Sequence, residues 1–339
     1  MKKILYKALG LLVIALALQI FSAQCEATRH FIIDTDTGGD DAAALLLAVK
    51  TPNISIEGVT VLAGNVDLER AAQNALMTLE VAGAKIPVYK GADRSLAARD
   101  FELFSVFGKD GMGDADLIHP KAKVQKKSAV DFILETVKKY PGEVEIIMLG
   151  PATNIALAIQ KDPETMRGVK RFWSMGTAGF GPGNATPVAE FNVFKDAEAY
   201  KVFLDFDAPT TIIGLDMLAG ETLIDEKTLE AMENSKPTEK FLAKACGKYF
   251  EFRRDQLHES SVVLFDAVAL AAAVWDDFVL ETVPCHASCI TAEGETHGQV
   301  IFYRKNITYD TMITFDSYNV EVVSKIKAAG FVPRFRDAI

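Results

Sequence analysis

The sequence is short of the residues that mark several whole classes of protein. Of 339 residues, only four are Cys, five His and two Trp. So few cysteines cannot staple a chain this long, so its fold must rest on an apolar core. Cys285-His286-x-x-Cys289 has metal-like spacing, but no second Cys/His pair completes a zinc set. A basic surplus is missing as well: 36 Lys+Arg stand against 46 Asp+Glu, a formal charge of −10. Nucleic-acid binders need a basic face, so no nucleic-acid partner is expected. There is no repeat, no low-complexity tract and no Pro/Gly/Ser linker, which points to one domain rather than an array.

Long apolar runs are also missing, with one exception. Ala8 to Phe21 is apolar, follows Lys2, Lys3 and Lys7, and leads into Ser22-Ala23-Gln24-Cys25. A membrane span needs about 20 apolar residues. A basic start, a shorter apolar middle and small residues after it read as a secretory signal peptide over residues 1–25. The expectation is a secreted protein, extracellular or (in a bacterium) periplasmic, with no membrane attachment after cleavage. Cys246, Cys285 and Cys289 then remain, enough for one surface disulfide at most, or for buried thiols. Asn53, Asn184 and Asn306 fit the N-glycosylation pattern, which matters only in a eukaryotic secretory pathway.

What is present is an alternation of apolar strands and helices. Phe31-Ile32-Ile33, 54–62, 144–149, 169–175 and 210–215 read as strands. Segments 41–49, 68–82, 127–140 and 153–160 read as helices. Residues 237–277 read as mostly helical, and 300–315 as terminal strands. Strands apolar on both faces, alternating with helices, predict an α/β fold: a single doubly wound domain over 26–339 with a mostly parallel sheet, helices on both faces and a helical C-terminal elaboration. Polar or glycine clusters follow four of these strands: Asp34 to Asp41, Ala63-Gly64-Asn65, Gly150 to Asn154 and Gly176-Thr177. The carboxyl ends of parallel strands are where such sheets build a ligand crevice, so the four clusters predict one site.

The densest signal is Asp34-Thr35-Asp36-Thr37-Gly38-Gly39-Asp40-Asp41 at a strand-to-helix turn. Carboxylates this close repel one another and raise each other's pKa, a penalty that a cation removes. Oxygen ligands without His or Cys favour Ca²⁺ or Mg²⁺. Helix capping accounts for one or two of these acids, not for four. An EF-hand loop starting at Asp34 fails, because its twelfth position is Leu45 where a bidentate Glu is required. Asp34-Thr35-Asp36-Thr37 also resembles the haloacid-dehalogenase-type phosphatases, with Asp34 as nucleophile and Asp36 as acid/base. That reading leaves Asp40 and Asp41 unexplained and needs a further acidic pair, for which Asp276-Asp277 is the candidate.

A third resemblance covers nearly all of the mature chain. Ile33 to Ala42 resembles the signature of the inosine–uridine-preferring nucleoside hydrolases. The resemblance continues, in order, through Ala63-Gly64-Asn65, Leu149 to Ala156, Asn184 to Asn192 and Phe265 to Ala269. Thr37 stands where many members have Pro. The resemblance implies a Ca²⁺ ion held by Asp36, Asp41, Asp266 and the Leu149 carbonyl. It implies ribose hydroxyls gripped by Asp40, Asn65, Asn184, Glu190 and Asn192, with Asp34 supporting the turn from behind. The implied reaction is cleavage of the N-glycosidic bond by an activated water whose proton Asp36 takes as general base. It also implies a homodimer or homotetramer.

Two family histidines have no counterpart. Phe265 stands where many members carry His before the last metal-binding Asp, and Phe107-Gly108 matches a second His-Gly segment. Aromatic faces stack on flat rings, so Phe107 and Phe265 are candidate base contacts, and a purine preference is expected. His258 reads as a solvent-facing or capping residue, Trp173 and Trp275 as core, and Lys126-Lys127 and Arg253-Arg254 as solvated faces. The leading expectation is a secreted, Ca²⁺-dependent, purine-leaning ribonucleoside hydrolase. The alternatives are a secreted phosphatase using Asp34 and a nucleoside-binding protein without turnover.

Overall fold

The computed structural model describes residues 28–97, 105–217, 220–304 and 317–339. The 1–25 signal segment and the Asn306 glycosylation site lie outside the described residues, as does the part of the 300–315 strand segment beyond Arg304. Eleven strands run in chain order: β1 (Arg29–Thr35), β2 (Ile54–Val61), β3 (Val88–Lys90), β4 (Val144–Met148), β5 (Arg171–Met175), β6 (Thr210–Ile213), β7 (Ile224–Asp225), β8 (Ser261–Val262), β9 (Val279–Cys289), β10 (Val300–Tyr303) and β11 (Val320–Ile326). The helices, numbered separately, are α1 (Gly39–Lys50), α2 (Leu68–Val81), α3 (Ala129–Lys139), α4 (Thr153–Lys161), α5 (Pro163–Met166), α6 (Phe191–Lys195), α7 (Ala197–Asp205), α8 (Glu226–Glu233), α9 (Pro237–Ala245), α10 (Gly247–Leu257), α11 (Phe265–Val274) and α12 (Phe331–Ala338).

Nine strands form one sheet in the order β10-β9-β11-β6-β5-β4-β1-β2-β3, and β7 pairs with β8 apart from it. All pairings from β3 across to β11 are parallel; β9 runs antiparallel to β11, and β10 antiparallel to β9. The chain moves outward through β1, β2 and β3, then returns to place β4 on the other side of β1. That reversal opens a crevice at the carboxyl ends of β1 and β4, the position where open α/β sheets bind ligands.

Each face of the sheet is covered by its own core. One contains Leu45, Leu46 and Leu47 of α1, Leu79 of α2 and Leu270 of α11; the other contains Ile133 of α3, Ile155 of α4 and Phe203 of α7. Helix α1 is buried from Gly39 to Ala48, and α11 from Asp266 to Ala273. Their runs of alanine let the two helices pack closely with no polar face to solvate. This pairing fixes the site, because the first turns of α1 and α11 bring Asp40, Asp41 and Asp266 together.

The expected α/β architecture is therefore present, including the mostly helical stretch from Pro237, which is interrupted only by the short β8. Cys246, Cys285 and Cys289 are all free, buried thiols. Cys285 and Cys289 lie four residues apart on the same strand, at roughly 13 Å by strand rise, beyond the reach of a disulfide. Among the described residues, no helix is long and apolar enough to cross a membrane.

Candidate active site

β1 ends at Thr35, and the chain turns through Asp36, Thr37 and Gly38 into α1. The Gly38 N–H donates to Asp41 Oδ2 at 2.8 Å, and the Thr35 hydroxyl donates to Asp41 Oδ1. Asn65, from the turn after β2, donates through Nδ2 to Asp41 Oδ2 at 3.2 Å and through its backbone N–H to Asp36 Oδ2 at 2.6 Å. Asp36 lies wedged between two glycines. A Cβ at Gly64 would stand 2.1 Å from Asp36 Oδ2, and one at Gly150 would stand 2.9 Å from Oδ1. Any side chain at these positions would displace the carboxylate, which is why glycine follows both β2 and β4.

The carboxylates Asp40, Asp41 and Asp266 place one oxygen each within 4.8 Å of one another, all buried. The sequence-based set was Asp36, Asp41 and Asp266. Asp36 is outside the tightest group, yet its charge is among those that raise the pKa of Asp266. Burial pushes the carboxyls of Asp36, Asp40 and Asp266 well above the usual range, and the Asp41 charge adds to it in each case. Burial raises Asp41 to about 6, held down by its bonds from Thr35 and Gly38. Asp36 Oδ1 and Asp40 Oδ1 are buried without a hydrogen-bond partner. Buried oxygens of this kind require a cation or a ligand donor, and an oxygen-only set suits a hard divalent ion. The amino-terminal ends of α1 and α11 also favour negative charge here.

Asp34 faces away from this group. It is fully buried, accepting from the Thr60 hydroxyl and from Asn154 Nδ2, the latter at 2.8 Å, and burial raises its carboxyl to about 7. This geometry fits the supporting position that the resemblance implies. The acidic partner of the phosphatase reading is elsewhere too: Asp277 is on the surface, paired with Lys327 and Arg334. Asn154 Oδ1 in turn accepts from the Ala92 N–H, tying the loop after β3 to the same post. Replacing Asn154 by Ala leaves that N–H unpaired and Asp34 Oδ1 with the Thr60 hydroxyl as its remaining donor, so the protein should lose about 1–3 kcal/mol of stability. A urea melt checks this; an unchanged midpoint would show that water replaces the amide.

The remaining sequence-predicted residues meet on the far wall. Glu190 caps α6, accepting from the N–H groups of Asn192, Val193 and Thr177, and burial raises it to about 7. Asn192 Nδ2 donates to the Leu149 carbonyl at 2.9 Å. That carbonyl keeps a second lone pair for another partner. Asn184 is exposed at the rim and accepts from the Phe191 N–H. Thr177 holds φ at 74°, a strained setting for a β-branched residue, and there presents its N–H to Glu190.

These groups border a cavity of about 560 Å³, walled by Phe107, Tyr249, Phe252 and Phe265 opposite Asp40 and Glu190. Phe107 is 5% exposed; it packs against the Gly38-Gly39 turn and lies 4.7 Å from the Tyr249 ring, so it is chiefly a floor. Phe265 is half-buried at the start of α11. Among the described residues, no His lines the cavity. His258 is exposed as the left-handed C-cap of α10. Arg253 corrects the sequence expectation. It is 9% exposed rather than solvated, because helical phase turns it to the cavity with Tyr249, while Arg254 faces out and pairs with Asp255. Tyr249, Phe252 and Arg253 were missed as site residues; the apolar spacing of Tyr249, Phe252 and Leu257 was the available signal.

Comparison with known proteins agrees with this geometry. Residues 31–333 match the family described as inosine-uridine preferring nucleoside hydrolase. Uridine nucleosidase 1 of Arabidopsis thaliana is 38% identical over 255 residues, covering 74% of this chain and 75% of that protein. The solved plant nucleoside hydrolase PpNRh1 superposes with a TM-score of 0.86 at 28% identity, covering 92% of this chain and 98% of that one. The purine-preferring ribonucleoside hydrolase from Gardnerella vaginalis superposes with a TM-score of 0.79 at 30% identity, covering 91% and 96%.

Proposed function

The chain belongs to the inosine–uridine preferring nucleoside hydrolase family, whose members cleave N-glycosidic bonds, and from that premise we infer that it is a Ca²⁺-dependent ribonucleoside hydrolase. The observation that carries this reading is the buried carboxylate group at the β1/β4 crevice, with orphaned oxygens on Asp36 and Asp40, facing the Glu190 and Asn192 wall. Asp36, Asp41, Asp266 and the Leu149 carbonyl would hold the ion, with Asp40 closing the group. When bound, Ca²⁺ supplies a Lewis acid that lowers the pKa of water and a charge that keeps these carboxylates ionised.

The chain's own residues do the rest. Asp40, Asn65, Asn184, Glu190 and Asn192 grip the ribose hydroxyls and orient C1′ toward Asp36. Asp36 accepts the proton of the attacking water. The oxygen of that water forms the bond to C1′ as the C1′–N bond breaks, and the electron pair leaves with the base. Buried carboxylates around C1′ stabilise the positive charge that develops on the sugar. Asp34 holds the turn in place through Thr60 and Asn154.

The base lies against the aromatic wall. We read Phe265, with Phe252 beside it, as the stacking surface, which favours the larger ring of a purine. Uridine preference is the second reading, favoured by the name of the Arabidopsis relative. Chromatographic release of free base from inosine, guanosine, adenosine and uridine, with Ca²⁺ and after chelation, separates the two. Faster inosine than uridine cleavage supports the aromatic argument; equal rates or faster uridine cleavage overturn it. Release of no base, from folded and Ca²⁺-loaded protein, overturns the hydrolase reading itself. We also read the apolar segment 8–21 as an export signal, which amino-terminal sequencing of the natural product tests.

A further inference from the structure

A departing base carries the electron pair of the broken C1′–N bond, and something must take up that charge. No His borders the cavity among the described residues, and Phe265 offers only a ring. The wall does contain a cation. Arg253 sits on α10 one turn beyond Tyr249, and both line the cavity with Phe265 and Asp266. Its Nε–H donates to the Ser261 carbonyl at 2.6 Å, Nη1 donates to the Tyr249 hydroxyl at 3.4 Å, and Nη2 pairs with Glu259. A guanidinium has five N–H donors, so Nη1 and Nη2 each retain one. Glu259, the one carboxylate paired with it among the described residues, is half-exposed at 52%, so the ion pair holds the guanidinium only weakly in place. Lys195, the other cation on the cavity, lies over the Phe191 ring on the helix that carries Asn192, the ribose-gripping element.

We propose that Arg253 is the leaving-group residue of this enzyme: its guanidinium donates to the departing base and stabilises the anionic charge left by C1′–N cleavage. The proposal rests on the hydrolase reading above. As the C1′–N bond breaks, its electron pair moves onto the base, the Arg253 N–H groups hold that charge, and the base takes its proton from solvent after release. The Tyr249 hydroxyl accepts from Arg253 and keeps its own hydrogen to donate to a base in the cavity that both residues line. An interaction of this kind strengthens as charge develops, so it acts on kcat more than on KM.

The test compares two ribosides in Arg253→Met. Inosine and uridine have poor leaving groups; 4-nitrophenyl riboside has a good one that needs no assistance. The expected result is a fall in kcat of roughly 100-fold on inosine and uridine, against less than about fivefold on the nitrophenyl riboside. Arg253→Lys keeps a cation and should recover part of the inosine rate, which guards against a folding defect in the Met variant. Equal losses on both substrates would make Arg253 a structural pin for the α10–β8 junction and overturn the proposal. Unchanged rates on both would overturn it as well. If wild-type protein loaded with Ca²⁺ cleaves neither substrate, the hydrolase reading fails first and takes this one with it.

Discussion

Replacing Asp36 by Asn should reduce kcat by roughly 10³-fold or more while nucleoside binding persists within about tenfold. The geometry makes this variant unusually clean. Gly64 and Gly150 press on the carboxylate from both sides, so the shape of the side chain at this position is fixed. Asn has the same shape. The Asn65 N–H, 2.6 Å from Asp36 Oδ2, selects the amide oxygen for that place and leaves the NH₂ where Oδ1 stood without a partner. The fold survives and the proton acceptor does not. Single-turnover assays with inosine measure the loss, and calorimetry measures binding. Retained turnover would move the general base elsewhere, with Asp40 the next candidate because its Oδ1 is also buried without a partner. Loss of binding together with turnover would instead give Asp36 a primarily metal-holding role.

Removing Ca²⁺ should abolish base release and lower the melting temperature, more at pH 8 than at pH 5. The sign follows from the raised carboxyls. Burial holds Asp34 and Glu190 at about 7 and Asp41 at about 6, with Asp36, Asp40 and Asp266 also raised. In the unfolded chain these groups ionise near their ordinary values of about 4. Below that pH they are neutral in both states and the site carries no penalty. Between about 4 and 7 the unfolded chain releases protons that the metal-free fold retains, so the site's contribution to stability falls as pH rises. Ca²⁺ must displace those protons at pH 5 but meets carboxylates at pH 8. Ion present at 100 times its Kd adds about 2.7 kcal/mol, or roughly 4 °C in a chain of this size. Scanning calorimetry with Ca²⁺ and with chelator at both pH values measures the gap. A gap that shrinks toward pH 8 would contradict a carboxylate cation site.

The site was legible in the sequence where its parts are local. Asp36, Asp40 and Asp41 sit around one turn, and a turn between an apolar strand and an apolar helix can be read residue by residue. Asn65, Leu149, Glu190 and Asp266 come from four other segments, and order along the chain, rather than spacing, connected them to the first. Apart from Phe107 and Phe265, the aromatic wall was not legible, for a different reason. Arg253 and Arg254 are the same residue in adjacent positions, and only the rotation of α10 buries one and exposes the other. Asn154 was legible as part of the polar cluster after β4 but not in its role; its bonds to Asp34 and Ala92 exist because β4 lies beside β1 and the loop after β3 folds back. Phe107 lines the cavity as expected, and its packing against the Gly38-Gly39 turn and Tyr249 could not be read from the sequence.

The strand order has a consequence for how the chain is made. β9 and β10 join the sheet only through β11, which is inserted between β9 and β6. A ribosome delivers β9 and β10 well before Val320 emerges. Until then this hairpin has no edge to pair with, and β6 carries an uncovered edge of its own. Residues 29–213 can assemble the crevice strands as they are synthesised, but the sheet closes only when the last stretch of chain arrives. Nascent chains stalled before Val320 should therefore expose two unpaired edges, the state in which a protein of this size most depends on holding chaperones.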